Sequence, residues 1–115
     1  MIQEIKRWYL YVVDLEPRIG TKPGKQRPCL SVQPDEFRAG IKSTVILPIT
    51  TNLVDNAFPL RVRIPKEIAG LHQDSDIMVD QVLAWDNVLF HAEIGRLPDF
   101  LIAETKLALK DFLDL

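Results

Sequence analysis

Residues 17–28 read Pro-Arg-Ile-Gly-Thr-Lys-Pro-Gly-Lys-Gln-Arg-Pro. They carry Arg18, Lys22, Lys25 and Arg27, and no acidic residue follows until Asp35. Residues 43–53 read Ser-Thr-Val-Ile-Leu-Pro-Ile-Thr-Thr-Asn-Leu and bring together two hydroxyls, Thr50 and Thr51. A guanidinium is planar, permanently charged and able to grip a phosphate through two parallel hydrogen bonds. A threonine hydroxyl can donate to one phosphate oxygen. A cationic loop that hands Arg27 to a strand, near a strand-end Thr50, suits a phosphodiester. Arg27 is a poor general base because its pKa lies above ~12, so its natural role is to stabilise charge.

The elements that must position these residues follow from periodicity. Residues 8–15, Trp-Tyr-Leu-Tyr-Val-Val-Asp-Leu, are aromatic and β-branched and predict a first strand. Residues 16–26 form a Gly/Pro loop, 27–33 a second strand ended by Pro34-Asp35, and 44–49 an apolar third strand buried on both faces. Residues 60–64 alternate, which places Leu60, Val62 and Ile64 inward and Arg61 and Arg63 outward. A short strand over 77–81 and a helical turn over 86–90 come next, while Glu93-Ile-Gly-Arg-Leu is too short to assign. From Pro98 to Leu115 the pattern is helical, with Pro98 at the first helical position. Leu101, Ile102, Ala108, Leu109, Phe112, Leu113 and Leu115 share one broad face. Short strands followed by one terminal helix predict a mainly β, α+β architecture: a small, strongly bent sheet or barrel.

Bulk properties bound the function. At 115 residues the chain is expected to be one domain, 1–115, able to bury a core. A net charge of -2 argues against a protein that coats nucleic acid non-specifically, yet the charge is uneven. Basic residues concentrate at 18–27 and 61–66, and Asp74, Asp76, Asp80 and Asp86 follow. A local basic groove suits a selected nucleic-acid target or an acidic peptide. The lone Cys29 offers no internal disulfide, the N-terminus lacks a signal-peptide pattern, and no apolar run reaches a membrane span. These features point to the cytoplasm and to no membrane partner.

Each candidate also has a plainer role. Arg27 at a strand start equally suits a surface or salt-bridged arginine, and Thr50 a strand-end threonine bonding to backbone. Asp80 suits backbone amides as well as substrate. Arg61 and Arg63 suit the solvent face of a strand. Trp8 and Trp85 could stack bases, but a Trp beside an apolar run is more often core or interface. His72 and His91 lack a neighbouring hydroxyl or carboxylate pattern. Cys29 reads as buried and inert. Asp74, Asp76 and Asp80 lack the Gly and Glu of a calcium loop and read as a turn.

Taken in order, Val13-Asp14-Leu15-Glu16-Pro17, Gly20, Arg27-Pro28, Leu47-Pro48-Ile49-Thr50, Asp80-Gln81 and Ile94-Gly95-Arg96-Leu97 resemble the MazF/PemK toxins of bacterial toxin–antitoxin pairs. The resemblance covers about residues 8 to 114. It implies an SH3-like β-barrel of the CcdB/MazF type with a C-terminal helix, a homodimer, and sequence-specific cleavage of single-stranded RNA without metal or other cofactor. It also implies a cognate antitoxin whose acidic C-terminal segment covers the groove. In this resemblance Arg27 and Thr50 stand at the catalytic positions. Asp80 stands where several members are acidic, and Lys22, Lys25, Thr51 and Arg61 are candidates for RNA binding or support. The chain departs from many members at Trp8-Tyr9, at Lys22 where a Glu is common, and at Leu83 where an Arg is common. Two other functions compete: a degenerate barrel that binds RNA or an acidic peptide, and a gyrase-directed toxin resembling CcdB. Trp8, Trp85 and Phe58 are candidate interface anchors, and Phe112, placed on the buried face of the helix, argues against the gyrase reading.

Overall fold

The computed structural model describes residues 4–15 and 26–115. Seven strands form one antiparallel arrangement: β1 Tyr9–Asp14, β2 Gln26–Ser31, β3 Ser43–Thr50, β4 Arg61–Ile64, β5 Ser75–Met78, β6 Leu83–Asp86 and β7 Phe90–Arg96. One helix, α1 Asp99–Phe112, follows. The strand order is β4-β5-β3-β2-β1-β7, and β6 also pairs with β3. β3 is the organising strand: β6 pairs with its first half, at Ser43–Ile46, and β5 with its end, at Ile49 and Thr50. Among the described residues the main pairing path ends at β4 and β7. Two register shifts in the β1–β7 pair bend the sheet.

Alternation along the strands separates two cores. Leu10, Leu30 and Leu47 belong to one cluster, with Ile49, Ile77 and Val62, and α1 adds Leu101 and Ala108. Their chain neighbours Tyr11, Cys29 and Ile46 belong to the other, with Val13, Leu15 and Phe90. Successive strand residues point to opposite faces, so each strand serves both cores. The Tyr11 and Phe90 rings meet edge to face at 5.8 Å. Trp85 packs on the second cluster, and its indole N–H donates to the Asp14 carbonyl at 2.9 Å.

The glycine of the Ile94-Gly95-Arg96-Leu97 run has a packing cause. A Cβ at Gly95 would lie 2.6 Å from the Ala69 carbonyl oxygen, so a side chain there would push the 67–71 turn off β7.

Several expectations are corrected. Leu60 is 42% exposed rather than inward, because it lies in the turn before β4 and its carbonyl accepts from the Val79 N–H. The strand expected over 77–81 ends at Met78, and Val79–Gln81 form a 3-10 turn. Residues 83–86 and 90–96 are strands that the sequence pattern did not predict. The 86–90 helical turn is present as a 3-10 turn at Asn87–Leu89. Pro98 caps α1 rather than opening it, with extended ψ of 157°. The apolar helix face is buried only in part: Leu101, Thr105 and Ala108 are covered, while Phe112, Leu113 and Leu115 are exposed. The C-terminal part of the apolar face is therefore left uncovered within the chain. No helix among the described residues is long and apolar enough to cross a membrane.

Candidate active site

Cross-strand register assembles the polar residues. Ile49, Ile77 and Val62 face one another across β3, β5 and β4, all buried in the first core. One residue along, Thr50 faces Asp76 and Asp76 faces Arg63, on the opposite side of the sheet. On the other flank of β3, Cys29 pairs with Pro48. That register continued by two residues sets Arg27 opposite Thr50, and Arg27 also pairs with Val13 of β1. Thr50, Asp76 and Arg63 therefore form a paired row across β3, β5 and β4, and the extended register brings Arg27 of β2 into line with it, at the end of the face that elsewhere carries Tyr11, Cys29 and Ile46.

The charges in this row are unequal. Asp76 is 1% exposed and accepts from Arg63 Nε at 2.5 Å, from Arg61 Nη1 at 3.2 Å and from the Val54 N–H at 2.9 Å. Burial alone would raise its pKa, but the hydrogen bonds from Arg63, Val54 and Arg61 hold the carboxyl below its usual range. Arg63 also donates to Asp55 at 2.8 Å, and its pKa is raised by the bonds to Asp76 and Asp55. Arg61 and Arg63, expected on the solvent face of β4, are thus turned onto a buried carboxylate. Among the described residues no hydrogen bond or ion pair engages the half-buried Arg27 guanidinium.

Thr50 is buried, and its Oγ1 accepts from the Asn52 N–H at 3.1 Å. That is the backbone bond expected of a strand-end threonine. It occupies acceptor capacity only, so the hydroxyl proton stays available to a phosphate oxygen. A cavity of about 480 Å³ adjoins the row. It is lined by the 54–58 loop, Arg61, Arg63, Asp76 and Glu104 of α1.

The remaining candidates fall around this group. Thr51 is exposed, one residue beyond Thr50. Asp80 is exposed on the 3-10 turn after β5, off the row. Lys22 and Lys25 lie outside the described residues. Trp8 is buried under Arg7, whose guanidinium carbon lies 4.6 Å from the ring centre. His72 and His91 are both exposed. Burial pushes the Cys29 thiol up to about 12, which leaves it protonated and inert at neutral pH. Asp74 accepts from the Lys66 N–H, whereas Asp76, read with it as part of a turn, is a strand residue. Asp76 is the site residue that the sequence pattern missed. Its only signal was an acidic residue in a strand that could face an Arg-x-Arg pair.

Comparison with known proteins decides the family. The family described as PemK-like, MazF-like toxin of type II toxin-antitoxin system matches residues 6–113. The chain belongs to this toxin family. It is 33% identical over 112 residues to the endoribonuclease MazF6 of Mycobacterium tuberculosis strain H37Rv, covering 96% of this chain and 98% of that protein. It is 28% identical over 106 residues to the endoribonuclease EndoA of Bacillus subtilis strain 168, covering 92% and 91%. A solved mycobacterial endoribonuclease in complex with its cognate antitoxin superposes with a TM-score of 0.79 at 17% identity, covering 97% of each chain. That last likeness shows the PemK/MazF-like fold, a mainly antiparallel β structure with one C-terminal helix. The relatives by sequence are endoribonucleases.

Proposed function

We propose that this chain is a sequence-specific, metal-independent endoribonuclease toxin, neutralised by a cognate antitoxin. The observation that carries the reading is the half-buried Arg27 guanidinium, engaged by no partner among the described residues and two residues beyond the last β2–β3 pair on the side of Thr50, whose proton is free to donate. A 2′-oxygen of single-stranded RNA attacks the adjacent phosphorus, forming a phosphorane with added negative charge. The Arg27 guanidinium spreads over two of its oxygens, and the Thr50 hydroxyl donates to a non-bridging oxygen. The P–O5′ bond breaks, the 2′-oxygen has lost its proton and the 5′-oxygen gains one. The products are a 2′,3′-cyclic phosphate and a 5′-hydroxyl. Lys22, Lys25 and Thr51 supply further contacts to the RNA in this reading, Arg61 supports the site, and Asp80 borders it.

The cytoplasm, where mRNA is available, is the compartment of action. The antitoxin's acidic C-terminal segment would compete with RNA for Arg27. The chain acts as a homodimer, with Phe58 as the exposed aromatic anchor. Trp8 is buried within the protomer, and Trp85 is half-buried and bonded within it.

Cleavage of a long unstructured RNA in EDTA tests the reading. Discrete fragments ending in cyclic phosphate support it, and intact RNA with a folded protein sinks it. Phe112 is 37% exposed rather than buried, so the display of an aromatic near the chain end does not separate a ribonuclease from a gyrase-directed toxin. A supercoiling assay run alongside does.

A further inference from the structure

Asp76 has no part in the chemistry above, yet its carboxylate is the most heavily bonded group of the polar row. A continuous path leads from it to the Thr50 hydroxyl. Asp76 Oδ2 accepts from Arg61 Nη1 at 3.2 Å. The same Arg61 nitrogen donates to the Asn52 carbonyl at 3.0 Å. The Asn52 N–H in turn donates to Thr50 Oγ1 at 3.1 Å. Asp76 Oδ2 also accepts from the Val54 N–H at 2.9 Å.

These bonds act where the sheet no longer does. β3 ends at Thr50, and residues 51–54 are exposed and carry no strand pairing. Two of their peptide groups, the Asn52 carbonyl and the Val54 N–H, are held by Arg61 and Asp76. Because the Asn52 N–H occupies one lone pair of Thr50 Oγ1, its position sets the direction in which the Thr50 proton can point. Arg63, directly opposite Asp76 and bonded to it at 2.5 Å, completes the neutralisation of the buried charge.

We propose that Asp76 is a positioning residue: through Arg61 and the Asn52 peptide it aims the Thr50 hydroxyl at the phosphate that Arg27 holds. This inference rests on the ribonuclease reading. The competing role is a purely structural clamp between β4 and β5, which would affect folding but would not act through Thr50.

A kinetic cycle separates the two. Single-turnover RNA cleavage is measured for Asp76→Asn and Arg61→Met, each alone and combined with Thr50→Val. Asp76→Asn keeps the shape and removes the charge. Misplacing a reacting group by about 1 Å costs on the order of 10²-fold, so each single variant should lose roughly 10- to 10²-fold in rate, with KM little changed. In the Thr50→Val background the same substitutions should have no further effect, since the hydroxyl they aim is gone. Equal losses in both backgrounds, or no loss in either, overturn the inference while the ribonuclease reading stands. If Asp76→Asn does not fold, Arg61→Met carries the test, because it leaves the Arg63–Asp76 pair and the Val54 bond in place. A wild-type protein that does not cut RNA overturns the ribonuclease reading and this inference with it.

Discussion

The two ends of one sheet face are built from the same strands and differ in what covers them. At one end Tyr11, Val13, Cys29 and Ile46 meet Leu15 and Phe90, with Leu83 and Trp85 packed against them, and the face is a dry core. At the other end the same alternation delivers Arg27, Thr50, Asp76 and Arg63, of which Asp76 and Arg63 line a cavity. A strand does not change character between the two ends. Cover decides whether its inward side chains serve stability or chemistry. The polar end is subdivided again: Arg61 and Arg63 are both paired with Asp76, Arg63 with Asp55 as well, and Arg27 is left unpaired among the described residues. A charge already satisfied by a buried partner has little to offer a phosphate, while an unpaired guanidinium has its full hydrogen-bonding capacity.

Substitutions at the two ends should therefore fail differently. Phe90→Ala at the covered end should cost about 3–5 kcal/mol of stability, the range for removing a buried aromatic. Denaturant unfolding measures this, and an unchanged midpoint would break the division between the ends. Thr50→Val at the open end keeps shape and removes a donor. It should cost about 10²-fold in cleavage rate, in line with loss of one preorganised donor, with stability changed by far less than in Phe90→Ala. A variant that cuts at full rate would reduce Thr50 to its backbone bond.

Acid sharpens the comparison within the polar end. The folded-state pKa of Asp76 lies below the ordinary aspartate value of 3.8. Its contribution to stability is therefore full above the unfolded value and is lost as pH falls through the folded one. The stability gap between wild type and Asp76→Asn should be flat from about pH 5 upward and should shrink only below about pH 4. A gap that changes near neutrality would mean that another group sets it. The smallest effect belongs to the loop lysines. Lys22→Ala or Lys25→Ala should each lower the salt dependence of RNA binding by about 0.7 in log–log slope, one phosphate contact on a single strand. An unchanged slope would remove that lysine from the RNA path.

The sequence made the fold legible wherever an element is well covered, on one face or on both. β1, β3 and α1 carry long apolar signals, and Val62 and Ile64 alternate cleanly with Arg61 and Arg63. β7 was illegible because, after Phe90, its residues are exposed or only partly covered, so no period of two appears. β6 was illegible for a related reason: Leu83 and Trp85 are only half-buried, and the strand is four residues long. In the candidate site, Arg27 and Thr50 could be proposed from sequence because each stands at the end of a recognisable strand. Asp76 could not, since its role depends on the register between β3, β4 and β5, and residues 50, 63 and 76 come together only in three dimensions. The exposure of Phe112 was hidden too, because a helical period shows which residues share a face but not what covers it.

Arg27 carries the central claim, and its removal tests that claim most directly. Single-turnover cleavage of RNA in EDTA is compared for wild type and Arg27→Ala, with folding of both verified by circular dichroism. The account predicts discrete cyclic-phosphate fragments from wild type and a rate lower by about 10²–10³ in the variant. A folded Arg27→Ala protein that cuts RNA at the wild-type rate would contradict it.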